Sequence, residues 1–536
     1  MKIKMLNKLI LASAVVITIS SCAKKLDLFP VNDLTPDKVY ATPEGYKSVL
    51  AKIYGTLNST GNTGAAGNPD IAGGLDEGQQ TSFIRNLFNA QELPTDEAVV
   101  FWNDQTIKDF HALKWTSADP FIKGMYARPI YNITLINEYI RESTAEKLAE
   151  RGITGAAATD IRNSNAEARF LRAFNYWVML DLFGKSTFIT EADKIGAFTP
   201  REISRPELYK YIVDELKAIE SSLAPAKTVE YGRADQAAAW ALLARIYLNA
   251  KVYTGTEQYT EALTNAKKVI DAGYSLHPKY PELFLADNDK CKDEFIFTIN
   301  CDGLKSTSYG NTTLFVHCAV GDDNQYYGVN GGWFGYRSTK GLADKFFDLS
   351  GQTDQRALFT TPVYKPTPDQ IELKNLDDFK GNGLPVAKYR NVRSDGKPVS
   401  DINLDLSDVD FPVFRLAEMY LIYAEATARG GAGDINLATT YINNLRKRAY
   451  GNDNGNIVAA TITPQFVLDE RARELYWEGH RRTDLIRFGQ LTTGEYLWPW
   501  KGGVASGTAV DDKYNLFPVP AANRTANPNL TQNIGY

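Results

Sequence analysis

What most limits the fold of this chain is a set of helix-period apolar stripes that come in pairs. Residues 166–183 place Phe170, Ala173, Phe174, Trp177 and Val178 at i, i+3, i+4, i+7 and i+8, the spacing of one buried helix face. Ser164 and Asn165 precede it as capping residues and Gly184 follows as a stop. A partner helix is expected over 207–223, after Pro206. The next pair, 235–250 and 257–271, sets Ala239, Leu242, Leu243 and Ile246 against Tyr259, Ala262, Leu263, Ala266 and Ile270. A short loop through Gly255 joins them, and the small Ala residues fit a close helix–helix seam. A third pair spans 412–429 and 434–449, and residues 37–58 and 122–143 make a sequence-distant fourth. Each stripe must be covered by another element, so the expected fold is predominantly α.

Helix pairs of about 34 residues resemble tetratricopeptide units. The repeat is degenerate here, because the usual Trp and Pro markers are not all in register. Between the pairs, residues 61–120 and 274–410 are rich in Gly, Asn, Asp, Thr, Tyr and Pro. Loops of that length in a compact domain carry function or strands. The expected architecture is one domain over 22–536, a helix-pair scaffold with loop-rich insertions that carry a ligand site.

The amino terminus sets an address. Lys2, Lys4 and Lys8 precede an apolar run over 9–19, which closes on Ile19-Ser20-Ser21-Cys22. That is the basic, apolar, small-residue order of a secretory signal, and its ending resembles a bacterial lipobox. Residues 1–21 are read as a signal peptide and Cys22 as the lipidated residue. The run is too short to span a bilayer, which takes roughly 20 apolar residues. Cys291, Cys301 and Cys318 remain, as a Cys291–Cys301 bridge or as buried free thiols. A net charge of −5 without a basic patch makes nucleic acid a poor partner.

Catalytic signatures are missing. The four His residues form no HExxH, and neither a GxSxG elbow nor a Walker loop occurs. Neighbouring carboxylates such as Asp76-Glu77, or Glu92 and Asp96, are the material of a glycosidase, but a chain with 64 acidic residues has such neighbours by chance. Rings are more informative. Phe101-Trp102 runs into Asn103, Asp104 and Gln105, and Tyr309, Tyr326, Tyr327, Trp333, Phe334 and Tyr336 lie among glycines and amides. Such rings either pack in the core or offer flat apolar faces to sugars, with polar side chains meeting hydroxyls at the edges. Residues 470–489, ERARELYWEGHRRTDLIRFG, read as one highly charged surface helix.

Five segments in order resemble the SusD/RagB family: EARFLRAFNYWVMLDLFGKSTF, RADQAAAWALLARIYLNAKVYTG, FRLAEMYLIYAEA, ERARELYWEGHRRTDLIRFG and LFPVPAANRTANPNLTQNIGY. The resemblance implies a non-catalytic outer-membrane lipoprotein that faces the cell exterior, binds glycans and serves a TonB-dependent (SusC-like) transporter, with no required cofactor. Gln91–Glu97, Gly232–Ala238, Tyr389–Ser400 and Tyr496–Gly503 are similar to a starch-binding subgroup, implying starch or maltooligosaccharide as ligand. Carried across by motif, an aromatic arc falls on Trp102, Tyr309 and Trp333, and polar contacts fall on Asp76, Arg85 and one of the amides Asn103 or Gln105. A second Trp of the subgroup is Val100 here, which leaves open a different polysaccharide or, as a lesser alternative, a surface glycoside hydrolase. Asp289, Asp408 and Asp410 match positions that resemble a calcium site, with the hard oxygen ligands calcium prefers.

Overall fold

The computed structural model describes residues 35–61, 64–66, 70–71, 80–196 and 198–536. Cys22 and the signal peptide lie outside the described residues, as does Asp76. The first elements are α1 (Pro43–Gly55), α2 (Phe83–Gln91), β1 (Val99–Val100), α3 (Gln105–Ala112), α4 (Pro120–Glu142) and α5 (Gly155–Phe183). Next come β2 (Ser186–Phe188), β3 (Arg201–Ile203), α6 (Arg205–Ile219), α7 (Gln236–Leu248) and α8 (Tyr259–Asp271). Then follow β4 (Phe295–Ile299), α9 (Thr312–Ala319), β5 (Tyr336–Arg337), β6 (Phe411–Arg415), α10 (Leu416–Ala428), α11 (Ile435–Tyr450), α12 (Pro464–Leu475) and α13 (Arg481–Arg487).

Helix starts are set by side-chain caps. Thr42 accepts from the Gly45 N–H ahead of α1, with Pro43 at the first helical position. That cap separates α1 from a short helix over Pro36–Val39, so the stripe over 37–58 is two helices. Asp119 accepts from the Phe121 and Ile122 N–H groups ahead of α4, and Asp235 from Ala238 ahead of α7. Helix α5 begins at Gly155, well before the apolar stripe, and ends where Gly184 takes a φ of 73°.

The helices form a continuous packed array. Helices α1 and α4 lie on α5, α5 on α6, α7 on α8, α8 on α10, and α10 on α11. Ala237, Ala238, Ala241 and Ala244 on α7 and Ala262 and Ala266 on α8 are all fully buried, and short side chains let helix backbones approach. Strands are few and antiparallel: β1 with β5, β2 with β3, β4 with β6. No described helix is long and apolar enough to cross a membrane. Cys291, Cys301 and Cys318 are buried free thiols, so the Cys291–Cys301 bridge is not formed.

The segment 470–489 departs from expectation. It is neither one helix nor a surface element: α12 ends at Leu475, Trp477 turns into the left-handed region with a φ of 62°, and α13 begins at Arg481. Its charges face inward. Glu474 meets Arg415 at 2.6 Å, Arg356 at 3.2 Å and Arg448. Glu470 meets Arg356 and Arg446, each at 2.8 Å. Glu478 pairs with Arg415 at 2.7 Å and Lys388 at 2.6 Å. All are buried except half-buried Arg446. Burial alone would raise the Glu474 carboxyl, but Arg448, Arg415 and Arg356 outweigh it and hold it down at about 2. Burial brings the Lys388 ammonium down to about 8, against the pull of Glu478. Charges in a helical pattern normally mark a wetted face; here their partners arrive from distant parts of the chain and turn that face inward.

Candidate functional site

Two very short strands build the ring surface. Val99 pairs with Arg337 and Val100 with Tyr336, and the Phe101 N–H continues the ladder to the Gly335 carbonyl at 2.8 Å. This puts Trp102 beside the loop 331–335, where its indole N–H donates to the Trp333 carbonyl at 2.7 Å. Gly335 is required: a Cβ there would lie 2.7 Å from the Trp102 ring. The loop is fixed from behind by the C-terminal end of α9, whose His317, Cys318 and Val320 carbonyls accept from the N–H groups of Trp333, Gly335 and Phe334.

Trp333 and Tyr309 complete the arrangement. Their ring centroids are 6.1 Å apart and their planes meet at 64°. Trp333 stacks on His317 at 4.5 Å and 21°, and the Tyr309 hydroxyl donates to the Asp405 carboxylate at 2.7 Å. That bond, with partial burial, moves the Tyr309 hydroxyl above its ordinary range. Tyr309 is tied to the other side through its neighbour, since the Gly310 carbonyl accepts from the Arg85 N–H at 3.0 Å. Trp102, Trp333 and Tyr309 are all half-buried, which is the state of a ring with one face packed and the other wet. The structure therefore brings together the three rings expected from sequence.

The polar candidates divide. Asn103 is exposed beside Trp102, and its amide oxygen accepts from Lys108 at 2.9 Å. Gln105 is the first residue of α3, and its side chain lies outside the described residues. Arg85 is only 3% exposed on α2, with its guanidinium 5.6 Å from the Trp102 ring centroid and 5.1 Å from that of Phe121. Its place is behind the rings. Val100 is buried in β1 and adds nothing to the surface. Sequence does not single out His317 or Asp405; their contribution is to hold rings, and no local motif marks that.

Of the carboxylates named for hydrolysis, Asp76 and Glu77 lie outside the described residues, and Glu92 and Asp96 are sealed. Glu92 and Asp96 are fully buried. Asp96 is gripped by Arg481 at 2.7 and 2.8 Å, and burial pushes the Glu92 carboxyl up to about 7. Neither is open to a saccharide.

The calcium expectation concerns Asp289, Asp408 and Asp410, of which Asp289 and Asp408 lie close enough to Asp410 to act on its charge. Among the described residues no group of three or more His, Cys, Asp or Glu side chains is arranged to hold a metal ion. Asp408 instead accepts from the N–H groups of Gly303 and Ser400. Asp410 accepts from the Cys301 N–H and the Tyr231 hydroxyl, and Asp289 is exposed. Burial first, then Asp289 and Asp408 nearby, push the Asp410 carboxyl up to about 7 against those hydrogen bonds. In the structure Asp408 and Asp410 accept hydrogen bonds from neighbouring loops.

Comparison with known proteins places this geometry. The model of the SusD family matches residues 372–536. The chain is 36% identical over 581 aligned positions to the starch-binding protein SusD of Bacteroides thetaiotaomicron, covering 100% of each. Among solved structures it is similar to surface glycan-binding protein A from Bacteroides fluxus, with a TM-score of 0.69 and 22% identity, covering 92% of this chain and 100% of that one. It is also similar to surface glycan-binding protein A from Bacteroides thetaiotaomicron in complex with laminarihexaose, with a TM-score of 0.65 and 19% identity over 91% of this chain and 99% of that one. Both likenesses speak for the helix-rich fold. Full-length identity to SusD goes further, and this chain belongs to the SusD family.

Proposed function

We propose that this protein is a non-catalytic, lipid-anchored glycan receptor on the outside of the outer membrane. It takes starch-type α-glucan on the Trp102–Trp333–Tyr309 surface and passes oligosaccharides to a TonB-dependent transporter. The observation that carries the reading is that Trp102, Trp333 and Tyr309 are all half-buried and linked, the Trp102 indole to the Trp333 carbonyl and the Trp333 ring to the Tyr309 ring. Identity to the starch-binding protein SusD supports the choice of glucan, and the sealed Glu92 and Asp96 fit binding without hydrolysis.

Stacking on open rings leaves most sugar hydroxyls in water, so short oligosaccharides bind weakly. A dissociation constant near millimolar corresponds to about −4 kcal/mol. Polymers gain by meeting many anchored copies at once. Lipidation at Cys22 gives lasting attachment when more than one acyl chain is present.

Affinity electrophoresis in gels containing amylopectin, laminarin or xylan tests the reading. Amylopectin should retard the parent, and Trp102→Ala and Trp333→Ala should run as in a plain gel. Retardation by laminarin alone would move the specificity to another glucan. Equal migration of parent and Trp variants in every gel would refute the ring surface as the binding site.

A further inference from the structure

The contacts behind Trp333 and Tyr309 form a closed circuit. Trp333 lies flat on His317. The two ring nitrogens of His317 face carbonyl oxygens of two different loops, Gly331 at 2.7 Å and Asp405 at 3.1 Å. The loops are braced again by the Asn330 N–H, which donates to the Leu404 carbonyl at 2.9 Å. Asp405 turns its carboxylate the other way and accepts the Tyr309 hydroxyl at 2.7 Å. Tyr309 returns to Trp333 by ring contact. One residue holds the back of the first ring and the other holds the tip of the second.

We infer that His317 and Asp405 are positioning residues that fix the 64° angle between Trp333 and Tyr309, and so select glycans by curvature. The inference rests on the reading of this surface as a glycan platform. His317 is 1% exposed, so it acts through the indole it carries. A sugar stacks with its C–H face parallel to a ring. Two rings inclined to each other are satisfied together only by a chain whose successive sugars turn through a similar angle, as an α-linked glucan does. A straight chain lies flat on one ring and leaves the other. Loosening the incline costs most for a ligand whose curvature is locked and least for one that can adapt.

Maltoheptaose and cyclomaltoheptaose separate these cases, since they share sugar and linkage and differ in locked curvature. Titration calorimetry with Asp405→Ala and His317→Gln should show cyclomaltoheptaose weakened about tenfold and maltoheptaose about threefold. Asp405→Asn keeps an acceptor for Tyr309 and should bind both within about twofold of the parent. Equal losses on the two sugars would overturn the inference while leaving the platform standing. A Trp333→Ala protein that binds like the parent would overturn the platform and the inference together. Thermal melting of each variant checks that the scaffold is intact. His317→Gln and Asp405→Ala probe the circuit from opposite sides, so either one suffices if the other fails to fold.

Discussion

The ring surface and the charge network around Glu474 use side chains in opposite ways. Around Glu474, charged groups are withdrawn from water and the carboxylate is surrounded by guanidinium partners. Around Trp333, apolar rings are left half in water, held by a few contacts to backbone carbonyls and one carboxylate. In the first region removing one member strands its partners in a dry interior. In the second a ring can be cut away and water fills its place. The network is bound to folding and the surface is free to vary with the ligand.

The largest expected effect belongs to the network. Glu474→Gln removes a carboxylate shared by Arg415, Arg448 and Arg356 and should cost about 3–5 kcal/mol of stability, read from denaturant unfolding. Binding per folded molecule should not change; a loss under about 1 kcal/mol would show the network to be dispensable. Acid reaches the same residue more gently. The Glu474 carboxyl sits at about 2 in the fold against 4.5 for an ordinary Glu. Its contribution is therefore complete above pH 4.5 and is lost as pH falls toward 2, on the order of 3 kcal/mol. Unfolding curves at about pH 6, 4 and 3 measure the fall, which should shrink in Glu474→Gln.

Smaller effects fall on the surface and should leave stability nearly intact. Gly335→Ala drives a methyl into the Trp102 ring, and the displaced indole should weaken amylopectin retention about fivefold, in line with overpacking costs near ~1 kcal/mol. Unchanged retention would mean that the Trp102 position has slack. Asn103→Ala removes one exposed amide and should weaken binding by about threefold or less, the scale of a wet hydrogen bond. A much larger loss would make Asn103 an anchor equal to the rings and erase the contrast between the two regions.

The scaffold is legible where a stripe meets a stripe. Ala239, Leu242 and Ile246 on α7 and Ala262 and Ala266 on α8 are all fully buried as their stripes require, because periodicity shows the face. The stretch 470–489 misleads because sequence records charge but not counter-charge: Arg356 lies 118 positions from Glu474, Arg415 lies 59, and no local pattern joins them. Ring positions come from family resemblance. Trp102 and Trp333 meet through strands of two residues each, too short for any alternation to register. A motif matches Arg85, yet a motif does not say which side of a ring it occupies.

The Trp102 indole reaches the Trp333 carbonyl across 231 positions of chain. Every helix from α3 to α9 is threaded between them, so the two rings meet only after long-range closure, the slow part of folding. Carbohydrate retention is thus a test of finished assembly: a chain stalled halfway would hold no sugar. By mass action, a bound glycan would in turn favour the closed ladder over its opening, so a captured ligand helps keep its captor in working order.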